Sequence, residues 1–321
     1  MKKAIDILAS AQKTIQTEAA AITGLLSQLN SDFEKSVKLI LKAKGRLVIT
    51  GVGKSANIAQ KLVATFNSTG QPAVFMHAAD AIHGDLGNVQ KGDIVLCISK
   101  SGDSPEIKVL VPLVKALGST LIGMAGNEKG FLAKHADLVL MTVVDKEACP
   151  NNLAPTSSTT AQLVMGDALA VALMEQRGFS SKDFARYHPG GALGKKLYVR
   201  MGDLVSKEEK REVDENLPVK DVIVAISKGR AGAVAVLKKK KIIGIITDGD
   251  IRRMLERNSD FAKMTAIDVM SKNPKVIDSN ELAVSGFQVM EAQSITQLIV
   301  TKNEQYMGIV HLHDILKEGI F

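Results

Sequence analysis

The sequence predicts an α/β protein: a doubly wound parallel sheet, followed by a tandem pair of small α+β units. Three observations carry that expectation. From Arg46 onward, apolar strand-like runs alternate with loops and helical patterns, the alternation of a parallel sheet with helices on both faces. Loops rich in Gly, Ser and Thr stand at 51–55, at 99–104 and at 156–160, each ahead of a helical pattern. The last part of the chain also repeats itself. Asp203, Leu217 and Val219 recur as Asp268, Leu282 and Val284 at an offset of 65 (268 − 203, 282 − 217, 284 − 219), and Gly244 recurs as Gly308 at 64 (308 − 244). Such self-similarity marks a repeat, and each unit is too small to bury much core alone, so the two should pack as a pair.

Taken in order, residues 2–29 read as one helix, with Ile5, Leu8, Ile15, Ala19, Ile22, Leu25, Leu26 and Leu29 on a broad face. Asn30, Ser31 and Asp32 cap a second helix that runs to about Lys44. These helices leave little room for a DNA-binding head. Strands are expected at 46–50, 73–77, 93–98, 119–124 and 138–143. Between them come a helix at 56–67, a helix opened by Pro105, whose fixed φ suits a first turn, and a short one before the last strand. A longer apolar helix is expected at 161–176. Ligands in such sheets bind beyond the carboxyl ends of the strands, and the loops at Gly51, at Ser99 and before Glu147 lie on that edge.

The 321 residues suffice for two or three domains, and 45% apolar with 23% charged content is ordinary for a soluble globular protein. The apolar run at 168–174 is far too short to span a bilayer. Asp6, Gln12 and Lys13 interrupt the segment behind the first lysines that export would need. Cys97 and Cys149 form neither a disulfide framework nor a metal spacing, which points to a reducing cytoplasm. Cys149 reads as a small buried residue. The net charge of +7 includes four lysines at 238–241, which read as a solvated hairpin turn. With 4% aromatics and no reading helix, neither a nucleic-acid nor a membrane partner is expected.

The loop at 51–55 is neither a nucleotide P-loop nor a dinucleotide fingerprint. A P-loop needs Gly where Val48 stands, and no acid follows at the ribose spacing. What survives is a strand-to-helix turn in which backbone N–H groups, Gly53, Lys54 and Ser55 face an anion. Ser99, Ser101 and Ser104 around Gly102 repeat that chemistry. Thr156, Ser157, Ser158 and Thr159 do so again, although that run alone reads better as helix capping. Three such helix starts on one edge fit a phosphorylated ligand of modest size. Beside them stand groups able to move protons: His77, His83, Glu106, Glu147 and His188. His135 reads as structural.

Here the chain resembles a known family over nearly its full length. The motifs are Gly51-Val-Gly-Lys-Ser55, His83-Gly-Asp-Leu-Gly87, Glu147-Ala-Cys-Pro150, the hydroxyl run to Thr160, Met165-Gly-Asp and His188-Pro-Gly-Gly. They resemble the D-arabinose-5-phosphate isomerases, which join a sugar isomerase (SIS) domain to two cystathionine-β-synthase-type (CBS) repeats. The resemblance implies an SIS domain at 1–195 and CBS repeats at 201–260 and 265–321. It implies interconversion of D-ribulose 5-phosphate and D-arabinose 5-phosphate, feeding synthesis of the lipopolysaccharide sugar Kdo. Lys54, Glu106, Glu147 and His188 match the family's catalytic set, and His83 matches a substrate-contacting histidine. The candidate binding set also takes in Gly70 and Gln71. No cofactor is required; His77 matches a position where the family can hold an inhibitory zinc. The CBS pattern keeps Thr247 and Asp250 in the first repeat; the second keeps Asp314 but has His311 in place of Thr. A nucleotide or the pathway product is the expected CBS ligand, and pairing of both domain types makes a homotetramer the expected assembly.

The implied chemistry is proton transfer α to a carbonyl through an enediolate. Glu147 is expected as the base, with its pKa raised by burial. His83 or His188 serves the sugar oxygens, and Lys54 the negative charge. Two other readings stay open: an isomerase of another phosphorylated sugar, and a sugar-phosphate sensor without catalysis.

Overall fold

The computed structural model describes residues 6–206, 211–257 and 261–320. The chain divides into two compact units, the first ending at Tyr187 and the second beginning at His188.

The first unit runs α1 (Ile7–Gly24), a 3-10 turn (Leu25–Gln28), α2 (Ser31–Lys42), β1 (Leu47–Gly51), α3 (Lys54–Ser68), β2 (Ala73–His77), α4 (Ala78–Ala81), β3 (Ile94–Ser99), α5 (Pro105–Ala116), β4 (Thr120–Ala125), α6 (Phe131–His135), β5 (Leu138–Met141), α7 (Ser157–Arg177) and α8 (Ser181–Tyr187). Its five strands are ordered β2-β1-β3-β4-β5, and every neighbouring pair is parallel. The expected doubly wound sheet is therefore present. Successive residues of a strand face opposite sides. Leu47 and Ile49 of β1 accordingly join Leu62, Phe66, Met165 and Leu169 in one core layer. Val48 joins Val95, Cys97, Ile107, Leu110 and Leu132 in the other.

Local chemistry sets the ends of these elements. Asp6 caps α1 by accepting from the Leu8 and Ala9 N–H groups, and Asn30 caps α2 by accepting from Asp32 N–H. Gly178, at φ 61°, ends α7 in the left-handed conformation. α3 and α7 cross so closely that a Cβ on Gly166 would stand 2.3 Å from Leu62 Cδ1. The single helix expected over 2–29 is, among the described residues, α1 followed by the 3-10 turn, and the broad apolar face of α1 is not covered within the chain. None of its residues is buried within the chain, and Ile7, Leu8 and Ile15 are exposed. No helix among the described residues is long and apolar enough to cross a membrane.

The second unit opens on α9 (Ala192–Tyr198) and a 3-10 turn (Met201–Leu204). The first repeat follows with β6 (Glu212–Asp214), α10 (Val219–Gly229), β7 (Ala233–Lys238), β8 (Lys241–Thr247) and α11 (Asp248–Arg257). After α12 (Ala266–Val269) and β9 (Ser271–Lys272), the same order returns as β10 (Val276–Asp278), α13 (Ala283–Ala292), β11 (Gln297–Lys302), β12 (Gln305–His311) and α14 (Leu312–Lys317). The lysine run is the expected hairpin turn, with Lys239 and Lys240 both at positive φ.

The repeats trade their leading segments. Gly308 of the second repeat receives Val205, where a Cβ would stand 2.4 Å from Cγ1, and Gly244 of the first receives Met270, where it would stand 2.5 Å from Sδ. Backbone bonds follow the same exchange. Met201 N–H donates to Glu281 O at 2.8 Å, and Val219 N–H donates to Met264 O at 2.9 Å.

Candidate active site

β1 and β3 are adjacent and parallel, so their ends place the loops at 51–55 and 99–104 side by side on the carboxyl edge. Gly53 takes φ 58° and Gly102 φ 70°, conformations that L side chains rarely adopt. Lys54 is the first residue of α3; it is exposed and has no ion-pair partner among the described residues. The Ser55 hydroxyl lies 3.2 Å from Gln162 Oε1 on α7, so it is already engaged. In the second loop, Ser99 Oγ accepts from Gly102 N–H at 3.1 Å and Ser101 Oγ from Asp103 N–H at 3.3 Å. Ser104 precedes α5, and Pro105 is that helix's first residue.

The third hydroxyl run differs from expectation. α7 begins at Ser157 rather than at 161, so the hydroxyls form its first turn, and the side chain of Thr156 before it makes no capping bond. The start of that helix is filled by Glu147, whose side chain is 0% exposed. Oε2 accepts from the Thr156 and Ser158 N–H groups at 2.8 and 3.1 Å, and Oε1 from the Ser158 hydroxyl at 2.5 Å. Lys100 Nζ completes the set at 2.6 Å from Oε1. Thr159 bonds back to Thr156 O at 2.9 Å, and Ser157 is fully buried. Thr156 and Ser158 therefore build the Glu147 socket, and a carboxylate occupies the helix start where a phosphate is expected.

Burial raises the Glu147 carboxyl, but the Lys100 ammonium, the Ser158 hydroxyl and the two N–H groups outweigh it and bring the pKa down to about 2. This corrects the expected upward shift, because charged and dipolar donors prevail over desolvation. The sequence alone does not mark Lys100, although it stands in the loop at 99–104. Its pairing spans 47 residues and becomes visible only once the sheet is folded.

Glu106, in the first turn of α5, is lowered, foremost by its own backbone N–H. His77 ends β2, paired in register with Gly51 on the same edge. His77 Nδ1 lies 3.8 Å from Asp80 Oδ2, and among the described residues no group of three or more His, Cys, Asp or Glu is placed to hold a metal ion. These residues do not fit a closed zinc site. His83 is exposed in the loop after α4. Gly70 and Gln71 precede β2 and so lie at the opposite, amino edge, where Gly70 O and Gln71 Oε1 accept from the Arg177 guanidinium. The structure does not bring them to the other candidates within this unit. His188 opens the second unit, where its carbonyl accepts from Gly191 N–H.

Cys149 is partly exposed rather than buried, and N–H groups of 151–154, that of Ala154 foremost, lower its thiol. Cys97 is buried, which pushes its thiol up to about 12. His135 is structural as expected, with Nδ1 2.8 Å from Phe131 O.

In the second unit, Asp250 and Thr247 engage each other. Asp250 Oδ2 accepts from Thr247 N–H at 2.8 Å and from its hydroxyl at 2.6 Å, while Arg253 and Ser271 hold Oδ1. Asp250, Arg253, Arg257, Met264 and Ser271 line a cavity of about 280 Å³. Asp314 accepts from His311 N–H at 2.9 Å, the bond made by Thr247 in the first repeat.

Residues 39–172 match the SIS domain family, and residues 203–257 and 266–320 match the CBS domain family. An arabinose 5-phosphate isomerase, KdsD, of Pseudomonas aeruginosa is 42% identical over 329 residues, covering 100% of this chain and 99% of the relative. The KdsD of Francisella tularensis is 43% identical, covering 96% of each chain. Among solved structures, an E. coli CFT073 protein in complex with arabinose 5-phosphate is 40% identical with a TM-score of 0.56, covering 57% of this chain and 98% of its own.

Proposed function

The chain belongs to the arabinose 5-phosphate isomerase family, and from that premise we propose how its sheet edge interconverts D-arabinose 5-phosphate and D-ribulose 5-phosphate. The observation that carries the reading is Glu147, a buried carboxylate held between α7 and the loop after β3. The two loops with positive-φ glycines, 51–55 and 99–104, cradle the phosphate through helix-start N–H groups, the Ser101 hydroxyl and Lys54. Glu147 takes the proton from one sugar carbon and returns it to its neighbour. The electron pair left behind forms the enediolate, whose charge Lys54 offsets. His83 moves protons at the sugar oxygens. His188 is the other residue able to move protons at the sugar oxygens. Glu106 sits where it can orient His77 by charge.

Glu147→Gln tests this. It should retain sugar-phosphate binding and lose exchange of the carbon-bound proton with D₂O by about 10²- to 10⁴-fold. Exchange at the wild-type rate would remove Glu147 as the base. A substrate panel of ribulose 5-phosphate against a hexulose 6-phosphate tests the sugar.

We further propose a homotetramer acting in the cytoplasm on the route to Kdo. The uncovered apolar residues of α1 support self-association. The cavity beside Asp250 supports a small ligand, a nucleotide or the pathway product, on the CBS pair.

A further inference from the structure

We propose that Lys100 is a displaceable counter-ion of Glu147. In the free enzyme its ammonium neutralises the carboxylate; a bound sugar phosphate draws it away and so releases the base. This rests on the reading of Glu147 as the base.

The ground is geometric. Lys100 Nζ stands 2.6 Å from Glu147 Oε1, but the two partners are held very differently. The Glu147 side chain is 0% exposed and fixed by Thr156 and Ser158, whereas the Lys100 side chain is 45% exposed. The ammonium is thus the partner free to move. Its backbone is not free. Gly126 abuts it so closely that a Cβ there would stand 2.8 Å from the Lys100 carbonyl oxygen and 3.3 Å from its Cα. A fixed Cα with a flexible four-carbon arm can reach either Glu147 or an anion docked on its own loop. Lys100 stands between Ser99 and Ser101, so its backbone belongs to the same loop that is proposed to hold the phosphate.

The groups facing Glu147 come from three segments. Lys100 reaches it from the β3–α5 loop, and Ser158 gives a hydroxyl and an N–H from α7. Thr156 gives an N–H and a hydroxyl from the approach to α7; the Asn152 amide oxygen accepts from the backbone N–H of Glu147 itself. Among the described residues, Lys100 is the one full charge in contact with it. Proton abstraction weakens as the base's pKa falls, so a carboxylate under all these donors is parked. Moving the ammonium onto substrate phosphate restores basicity only when there is substrate to act on.

The test is the pH dependence of kcat/KM for arabinose 5-phosphate in Lys100→Met, with Lys100→Arg as the charge-retaining control. Lys100→Met should move the acid limb up by about one pH unit or more and raise KM severalfold; Lys100→Arg should hold the limb in place. An unmoved limb or an unmoved KM in Lys100→Met overturns the proposal. Glu147→Gln, assayed beside it, separates the two failures. If that variant stays active, the base assignment falls and takes this inference with it. If it is inactive and the Lys100→Met limb has not moved, only this inference falls. Thermal melts confirm that each variant is folded.

Discussion

Acid should loosen the first unit by protonating Glu147, and the structure sets the size of the effect. The folded carboxyl lies at about 2, below the ordinary glutamate value of about 4.3. A depressed value means that the stabilisation is complete above the unfolded pKa and is lost as pH falls toward the folded one. A gap of about 2.3 units at about 1.4 kcal/mol each gives about 3 kcal/mol. Lys100 is half in water, so its share is screened and about 2–3 kcal/mol is the better figure. Glu147→Gln cannot titrate, and whichever way its amide turns, its NH2 group faces other donors, either the helix-start N–H groups or the Lys100 ammonium. It should be less stable near neutrality and should show a flatter decline in acid. Urea unfolding followed by far-UV circular dichroism, between about pH 5 and about pH 2.5, reads both slopes. Parallel slopes for wild type and variant would refute the claim that this one carboxyl carries the acid dependence.

Lys54→Ala should weaken binding of arabinose 5-phosphate while leaving the melting temperature in place, because the ammonium is exposed and unpaired among the described residues; calorimetric titration measures it, and unchanged affinity excludes Lys54 from the site. Gly166→Ala should cost about 1–3 kcal/mol in urea unfolding, since its methyl meets buried Leu62 in a core that cannot give way. By contrast, Lys61→Ala breaks an ion pair with Asp167 whose side chains are both well exposed, and should change stability by less than about 1 kcal/mol.

Much of the sheet could be read in advance because its signals are local. β2 falls at the expected residues, and β1, β3 and β4 lie within a residue of their expected ends. Apolar runs closed by Gly51, Gly102 or Pro105 leave little choice of boundary. The hydroxyl run misled because a Ser or Thr serves equally as cap, first-turn residue or ligand contact. Sequence spacing does not reveal that Glu147 folds back onto the helix start nine residues later. The same limit hid Lys100, which meets its partner only through the parallel order of the strands. Burial alone points to a raised Glu147 pKa; the donors that reverse it come from two separate stretches of chain, at Lys100 and at 156–158. Gly70 and Gln71 stand close in sequence to β2, but a strand has two ends, and theirs is the amino end.

The traded segments of the CBS pair bear on how that region can come apart. Val205, at the start of the first repeat, fills the notch at Gly308 in the second, and Met270, at the start of the second, fills the notch at Gly244 in the first. The two halves are interlocked, so neither can melt without uncovering the other's hydrophobic seat. A fragment cut at the family boundaries near 257 and 266 would carry a plug that fits nothing and a socket left empty. Half of this pair should fail to fold alone, and unfolding of the whole should show one cooperative transition rather than two.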